Sequence, residues 1–310
     1  MSTNLNQAIL SRSLLSVPVN NQRFVEKAFQ SDADVIMLDL EDSISAPEKE
    51  NARDHLLRAL EGFDRSGRAV AVRVNGPSSS AHRDDIACLL AAARKPELVI
   101  VPKMESALDL HSITRQLGKF ATIDGMVESP RALLNLSRII EDASDLRGIH
   151  LGPGDFAAAM GMRMGTIGGD AQDYRLITNG PDGQRSFHPL DVFQPVQFQM
   201  TLSARAFGIR VMDGPYSMLR DPDGLATASL RAAALGMDGK WAIHPEQIDT
   251  INRAFTPAAS AITEAHRILE ALGEGATGAA QLNGRMIDEA SVRHAKMLIG
   301  KAEMIRQRGN

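Results

Sequence analysis

A chain of 310 residues, 44% of them hydrophobic and 23% charged, is long enough to bury a full core and lies in the compositional range of globular proteins. Its net charge of −4 comes without any basic run able to neutralise a row of phosphates, which argues against nucleic acid as a partner. The single cysteine excludes an internal disulfide or thiolate cluster, no segment approaches the roughly 18 uninterrupted apolar residues of a membrane span, and Met1 to Leu10 lacks a basic-then-apolar export pattern, so a cytoplasmic protein with no membrane association is expected.

From Leu14 onward, eight short apolar runs are predicted as strands: LLSVPV (14–19), VIMLDL (35–40), AVAVRV (69–74), ELVIVP (97–102), ATIDGMV (121–127), RGIHLG (147–152), IRVMDG (209–214) and GKWAIH (239–244). Their near-continuous apolarity suits strands buried on both faces, and the segments between them have the length of crossover helices, so the sheet is expected to be parallel. Two helices are legible in detail. One covers 47–63, with Pro47 in its first turn, and one covers 106–118, with Ser106 as cap and Gly118 as stop. An open doubly wound sheet is the alternative, but eight units at this spacing favour closure into an α/β fold of the (β/α)8 TIM-barrel class over residues 1–257. The long, Gly-rich stretch from Gly161 to Pro189 is an insertion between the sixth strand and its helix, placed to act as a lid. Residues 258–310 form a C-terminal helical extension.

Barrel enzymes place their chemistry where strands run into the following loops, and here nearly every strand ends in a polar residue. The second ends in Asp39, Glu41 and Asp42, the third carries Arg73 and Asn75, and the fourth ends at Lys103. The fifth ends at Glu128, and the sixth, seventh and eighth lead to Asp155, Asp213 and His244. One carboxylate from each of two neighbouring strand ends is an economical site for magnesium, which keeps waters that substrate oxygens replace. Glu128 and Asp155 answer that description, as do ordinary loop carboxylates. Arg73, on an otherwise apolar strand, requires an anion beside it. That anion is either a substrate carboxylate or enolate, or the side chains of Asp39, Glu41 or Asp42. His244 is read as lining the mouth rather than as an acid or base. Cys88, within IACLLAAA, is read as packing rather than as a nucleophile, and no Walker or GxGxxG motif speaks for a nucleotide cofactor.

Taken in order, Arg12-Ser13, VIMLDLEDSI (35–44), VRVNG (72–76), VPK (101–103), VES (127–129), LGPGDFAAAMGM (151–162), DGPY (213–216), GKWAIHP (239–245) and GRMIDEAS (284–291) resemble the HpcH/HpaI aldolase and citrate lyase β-subunit family, most closely its malyl-CoA lyase branch. The resemblance spans nearly the whole chain. It implies a carbon–carbon lyase dependent on Mg2+, with Mn2+ able to substitute, that reversibly cleaves a 3-hydroxyacyl-CoA to a 2-oxo acid and an acyl-CoA, the CoA being part of the substrate. It further implies Glu128 and Asp155 as metal carboxylates and Arg73 as a catalytic substrate contact. Lys27, Gly154, Ile243 and His244 would bind substrate or CoA, with Arg12, Glu41 and Asp42 in support. Asp288, in the MID segment, would act as the acid-base group in a neighbouring subunit of a homo-oligomer, a trimer or hexamer. One loop departs from the pattern: Asn20 and Asn21 stand where a glycine and a CoA-binding arginine are expected, with Arg23 nearby as a substitute charge. A thioester hydrolase of the same substrates, a CoA-independent 2-oxo acid aldolase and a non-catalytic CoA-binding subunit are the competing readings.

Overall fold

In the computed structural model, residues 9–163, 166–272 and 279–308 are described. They divide into two compact units, 1–254 and 255–310. The first alternates strands and helices in the order β1 (Ser13–Pro18), α1 (Gln22–Phe29), β2 (Val35–Asp39), α2 (Lys49–Gly62), β3 (Ala69–Arg73), α3 (His82–Ala91), β4 (Leu98–Val101), α4 (Leu108–Leu117), β5 (Thr122–Val127) and α5 (Pro130–Asp142). It continues through β6 (Leu146–Leu151), α6 (Pro153–Met160), β7 (Ala171–Asn179), β8 (Arg185–Leu190), α7 (Gln194–Phe207), β9 (Arg210–Asp213), α8 (Pro222–Ala234), β10 (Gly239–Ala242) and α9 (Ile248–Phe255). The eight strands β1 to β6, β9 and β10 close into a barrel of parallel pairs, β1 meeting β10 and β9 meeting β6.

Side chains alternate across a strand, so every second residue enters the barrel. The interior cluster of Leu14, Val35, Met37, Ala71, Leu98, Ile100, Met126, Met212 and Trp241 follows that parity. Two residues further along the same parity stand Asp39, Arg73 and Glu128. The barrel is therefore plugged by apolar layers and roofed by charged side chains at its C-terminal rim. The opposite parity packs under the helices and is equally buried, as Ile36, Leu38, Val70 and Val72 show. That double burial is why the strands read as continuous apolar runs.

One polar pair breaks the interior. Buried Trp241 donates through Nε1 to His150 Nδ1 at 2.8 Å, so the proton of His150 sits on Nε2, which donates to Asp124 Oδ2 at 2.9 Å. Arg210 donates to both Asp124 oxygens at 2.9–3.0 Å. Burial lowers the pKa of His150, against the hydrogen bond and charge of Asp124 that raise it. Burial alone would raise Asp124, but the charge of Arg210 and the bonds from His150 and Arg210 hold it below the usual carboxylate range. Both groups thus bind protons less readily folded than unfolded. The unfolded chain takes up a proton on His150 from about pH 6.5 downward, and the stabilisation from Asp124, present above about pH 4, is lost as pH falls through its depressed native value. Urea titrations across this range are expected to show stability falling from about pH 6.5, with the first part of the fall absent in His150→Gln.

The ends of the elements differ from the sequence reading in two places. Pro47 lies in a short 3-10 turn, Ala46–Glu48, that leads into α2. Helix α4 begins at Leu108 with no capping bond from Ser106; instead Asp109 Oδ2 accepts from the Ser106 hydroxyl and from the N–H groups of Glu105 and Ser106. The insertion is also placed differently. Helix α6 follows β6 at once, and the inserted chain comes after it, carrying the antiparallel hairpin β7–β8 before α7. No strand was expected there, because AQDYRLITN has neither a buried apolar run nor clean alternation. Tyr174, Leu176, Ile177 and Phe187 all stay about half exposed. Cys88 donates weakly to the Arg53 carbonyl, and burial pushes its thiol up to about 11, in keeping with a packing role.

In the second unit, α10 (Ala259–Leu272) and α11 (Glu289–Arg308) flank the short hairpin β11 (Ala280–Leu282) and β12 (Arg285–Ile287), with Ala265, Leu272, Ile287 and Ala295 buried. Among the described residues, no helix is long and apolar enough to cross a membrane.

Candidate active site

The rim of the barrel is organised around Arg73. Its Nε and Nη2 donate to the two oxygens of Asp39 at 2.7 and 2.6 Å, and its Nη1 lies 3.0 Å from Glu41 Oε2. Its guanidinium carbon lies 5.6 Å from the centre of the Trp241 ring. Burial would lower the pKa of Arg73, but the charges of Asp39, Glu41 and Glu128 and the Asp39 hydrogen bond raise it, so the cation is permanent. Asp39, whose burial alone would raise it, is held low chiefly by that cation. Asp39 also accepts from the N–H groups of Glu41 and Ser43, so one carboxylate fixes both the arginine and the loop after β2. Nε and Nη2 are thus hydrogen-bonded to Asp39, while Nη1 meets Glu41 only as an ion pair, which leaves guanidinium donors for an incoming anion. The two readings of Arg73 are therefore compatible.

Lys103 links the neighbouring strand ends, and its importance exceeds what the VPK motif suggested. Its ammonium lies 2.5 Å from Glu41 Oε1, 3.2 Å from Asp42 Oδ1 and 3.9 Å from Asp155 Oδ2. Its backbone, at a φ of 55°, occupies the left-handed region that a non-glycine residue enters at a cost of about 1 kcal/mol or more. That conformation aims its N–H at Glu128 Oε2, 2.6 Å away. Lys49, missed beside the glutamates of its helix, donates to the Leu40 and Glu41 carbonyls at 2.7 and 2.6 Å and holds the same loop from below. A lysine among surface charges leaves no mark in sequence; its partners are backbone atoms.

Glu128, only 6% exposed, follows β5 inward-facing, and the next residue, Ser129, caps α5 through its side chain. Its carboxyl is raised to about 7, chiefly by burial, with the like charges of Glu41 and Asp155 adding to the rise and the Lys103 N–H and the Arg73 charge opposing it. Asp155 sits in the first turn of α6, half exposed. Gly152 explains how Glu128 fits, since a Cβ there would overlap its carboxylate. Gly152→Ala is expected to displace Glu128 without altering any charge, and a crystal structure showing the carboxylate unmoved would refute this.

This donor set suits a hard divalent cation. Two adjacent carboxylates, one buried and raised by its like-charged neighbours, gain from a dication and leave its other positions to water and substrate oxygens. Among the described residues, no three His, Cys, Asp or Glu side chains converge into an all-protein cage.

Arg73, Glu41, Asp42, Glu128 and Asp155 are thus brought together; the other expected residues are placed apart or at the margin. Arg12, expected in a supporting role, is one of these. It precedes β1, at the barrel's N-terminal end, where it donates to both oxygens of buried Asp34 at 2.8–2.9 Å, a staple far from the rim. Gly154 lies in the first turn of α6, with room for a Cβ 3.6 Å from Ile167 Cδ1. Ile243 and His244 follow β10, and His244 Nδ1 accepts from the Glu246 N–H at 3.3 Å, capping a 3-10 turn. Lys27 is exposed in the last turn of α1, and Asn21 caps that helix by accepting from the Phe24 N–H at 3.2 Å. Asn75 serves structure, donating to Asp85 and the Leu40 carbonyl. Asp213 is turned toward the helix layer, where Lys240 and Gln197 donate to it at 2.6 and 3.0 Å. In the second unit, Asp288 accepts from the N–H and hydroxyl of Ser291 at 3.0 and 3.1 Å; those bonds hold its carboxyl below the usual range.

Residues 12–245 match the family model described as HpcH/HpaI aldolase/citrate lyase. The chain is 35% identical to the L-malyl-CoA/beta-methylmalyl-CoA lyase of Cereibacter sphaeroides, over 95% of each chain. It is 31% identical to a (3S)-malyl-CoA thioesterase of the same species, over 97% of each. Among solved structures it superposes with TM-score 0.73 and 27% identity on protein CitE from Mycobacterium tuberculosis in complex with magnesium, acetoacetate and coenzyme A, covering 95% of this chain and 98% of that one.

Proposed function

The chain belongs to the HpcH/HpaI aldolase/citrate lyase family, and from that premise we propose that it is a Mg2+-dependent carbon–carbon lyase that reversibly cleaves a 3-hydroxyacyl-CoA of the malyl-CoA type to a 2-oxo acid and a shorter acyl-CoA. The observation that carries this reading is the rim itself: buried Glu128 beside Asp155, facing a permanent arginine cation. A dication held by Glu128 and Asp155 would supply Lewis-acid polarisation of the substrate's hydroxyl and carboxylate oxygens.

Cleavage breaks the bond between the acyl α-carbon and the hydroxyl-bearing carbon; the hydroxyl gives up its proton to solvent and becomes the carbonyl of the 2-oxo acid, and the electron pair of the broken bond becomes a thioester enolate. Arg73 faces that developing negative charge from a water-poor position, where a fixed donor acts most strongly. In condensation Asp288, ionised at neutral pH through its Ser291 bonds, takes the proton from the acyl α-carbon, and in cleavage its protonated form returns that proton to the enolate carbon. In this reading it does so in a neighbouring copy within a homo-oligomer. Arg23 and Lys27, one helical turn apart on exposed α1, offer cations for the CoA phosphates where Asn20 and Asn21 do not.

The 31% identity to a thioesterase keeps hydrolysis as the second reading. A panel of malyl-, methylmalyl- and citramalyl-CoA with Mg2+ separates the two. A lyase releases a 2-oxo acid and an acyl-CoA, whereas free CoA without acyl-CoA would establish hydrolysis. Turnover of free 2-oxo acid aldols without CoA would establish the aldolase. Asp288→Asn is expected to lose about 10²-fold or more in kcat while Mg2+ affinity and fold persist; unchanged turnover would remove Asp288 from the chemistry.

A further inference from the structure

Lys103 stands where glycine would serve the backbone better. Glycine enters a φ of 55° without steric strain, and the N–H aimed at Glu128 belongs to the main chain, so glycine would supply that bond equally well. The strain of a lysine here is therefore not explained by Glu128. Nor does the loop after β2 need it as a tether. Lys49 already holds the Leu40 and Glu41 carbonyls, and Asp39 accepts from the N–H groups of Glu41 and Ser43. What only the side chain can do is carry an ammonium group across the mouth of the barrel.

The stem of that side chain runs beside Gly76, where a Cβ would stand 3.5 Å from Lys103 Cβ. Its ammonium meets Glu41 Oε1 and Asp42 on one side and stands 3.9 Å from Asp155 on the other. Glu41 is thus shared between two cations. Its Oε1 faces Lys103, and its Oε2 accepts from the Asp42 N–H at 3.2 Å and faces Arg73 Nη1 at 3.0 Å. Being buried, Glu41 cannot turn to water, so removing one cation delivers its charge to the other. A carboxylate and a guanidinium left to each other close into the paired hydrogen bonds that their planar shapes favour. That closure would fill the Nη1 side of Arg73, the side that Asp39 leaves open through its bonds to Nε and Nη2. Toward Asp155 the effect has the opposite sign. An ammonium 3.9 Å from that carboxylate repels a dication held there.

We infer that Lys103 is a positioning residue for the proposed reaction: its ammonium withholds Glu41 from Arg73, so that guanidinium donors stay open to the substrate anion, and in doing so it weakens the hold of Asp155 on a dication. The inference rests on the lyase reading, in which Arg73 meets substrate and Asp155 meets Mg2+. It separates Lys103 from a lysine that merely supports the rim. Loss of a support would lower turnover and metal affinity together, whereas loss of this ammonium lowers turnover and raises metal affinity.

The test compares Lys103→Gly and Lys103→Arg with the native full-length chain, by calorimetric titration with Mg2+ and by turnover of malyl-CoA. Lys103→Gly keeps the N–H for Glu128 and relieves the backbone, so it is expected to fold. Its kcat is expected to fall about 10²-fold, the scale of one misplaced donor to a developing anion. Its Mg2+ affinity is expected to rise about 3- to 10-fold, the scale of a unit charge repelling a dication through water-like screening. Lys103→Arg keeps the charge and is expected to recover most of the turnover and the native metal affinity. The inference is overturned by native kcat in Lys103→Gly, by a metal affinity that is unchanged or lowered there, or by Lys103→Arg being as impaired as Lys103→Gly. It is equally overturned if Lys103→Gly does not fold, since the lysine is then structural. The metal titration needs no thioester, so a native chain inactive on every acyl-CoA refutes the lyase reading, while a metal affinity that fails to rise in Lys103→Gly refutes the role of Lys103 alone.

Discussion

Glu128→Gln is expected to lower turnover by on the order of 10³-fold, the several kcal/mol that a correctly held dication contributes to such chemistry. The substitution keeps the size of the side chain and the acceptor for the Lys103 N–H, 2.6 Å away in the native protein, so the fold is expected to persist. What it removes is the negative charge that burial and the neighbouring Glu41 and Asp155 have already made costly to maintain. Relieved of that repulsion, the variant is expected to be at least as stable as the native chain, with Mg2+ affinity, measured by calorimetry or by Mn2+ spin resonance, reduced by two orders of magnitude or more. Native-like metal affinity in Glu128→Gln would place the cation elsewhere. A variant that fails to fold would contradict the argument that Glu128 is strained by its neighbours.

Arg73→Met is expected to act on stability and activity together. It leaves Asp39, fully buried, without its cation, while Glu41, nearly as buried, keeps only Lys103. Removing one partner of a buried ion pair costs about 3 to 5 kcal/mol, most of it the penalty of the abandoned charge. Urea unfolding should show that loss, and adding Asp39→Asn should recover part of it, because the double variant no longer buries the unpaired Asp39 charge. Activity should not recover with it. A double variant that regained turnover would mean that Arg73 serves only to neutralise Asp39 and does not meet substrate.

Much of this site was legible in the sequence for a definite reason. A closed parallel barrel buries its strands on both faces, so each strand announces itself as an apolar run, and the polar residue that ends it marks the rim. Asp39, Arg73 and Glu128 could be named because they are polar residues at the ends of their strands, and the barrel places them one step further along the inward parity of Met37, Ala71 and Met126. Where parity changes, the strand end misleads. Asp213 ends its strand as Asp39 does, yet it faces outward to Lys240 and Gln197 and belongs to a different polar cluster. Arg12 sits before its strand and so marks the opposite end of the barrel.

The sequence by itself thus determined the barrel, the order of its strands and the carboxylates and arginine of the rim, because each is written in local runs of a few residues. The tertiary structure decided what those charges do to one another. Arg73 pairs with Asp39 across 34 positions of sequence, and Lys103 reaches Glu41 across 62. Gly152 matters only because the Glu128 side chain passes over it. Gln197 Oε1 is buried without a hydrogen-bond partner because Asp213 and Lys240, from the two strands that follow α7, claim the other end of its amide. Interactions of this kind depend on which strands closure makes neighbours, and closure is a property of the whole chain rather than of any segment.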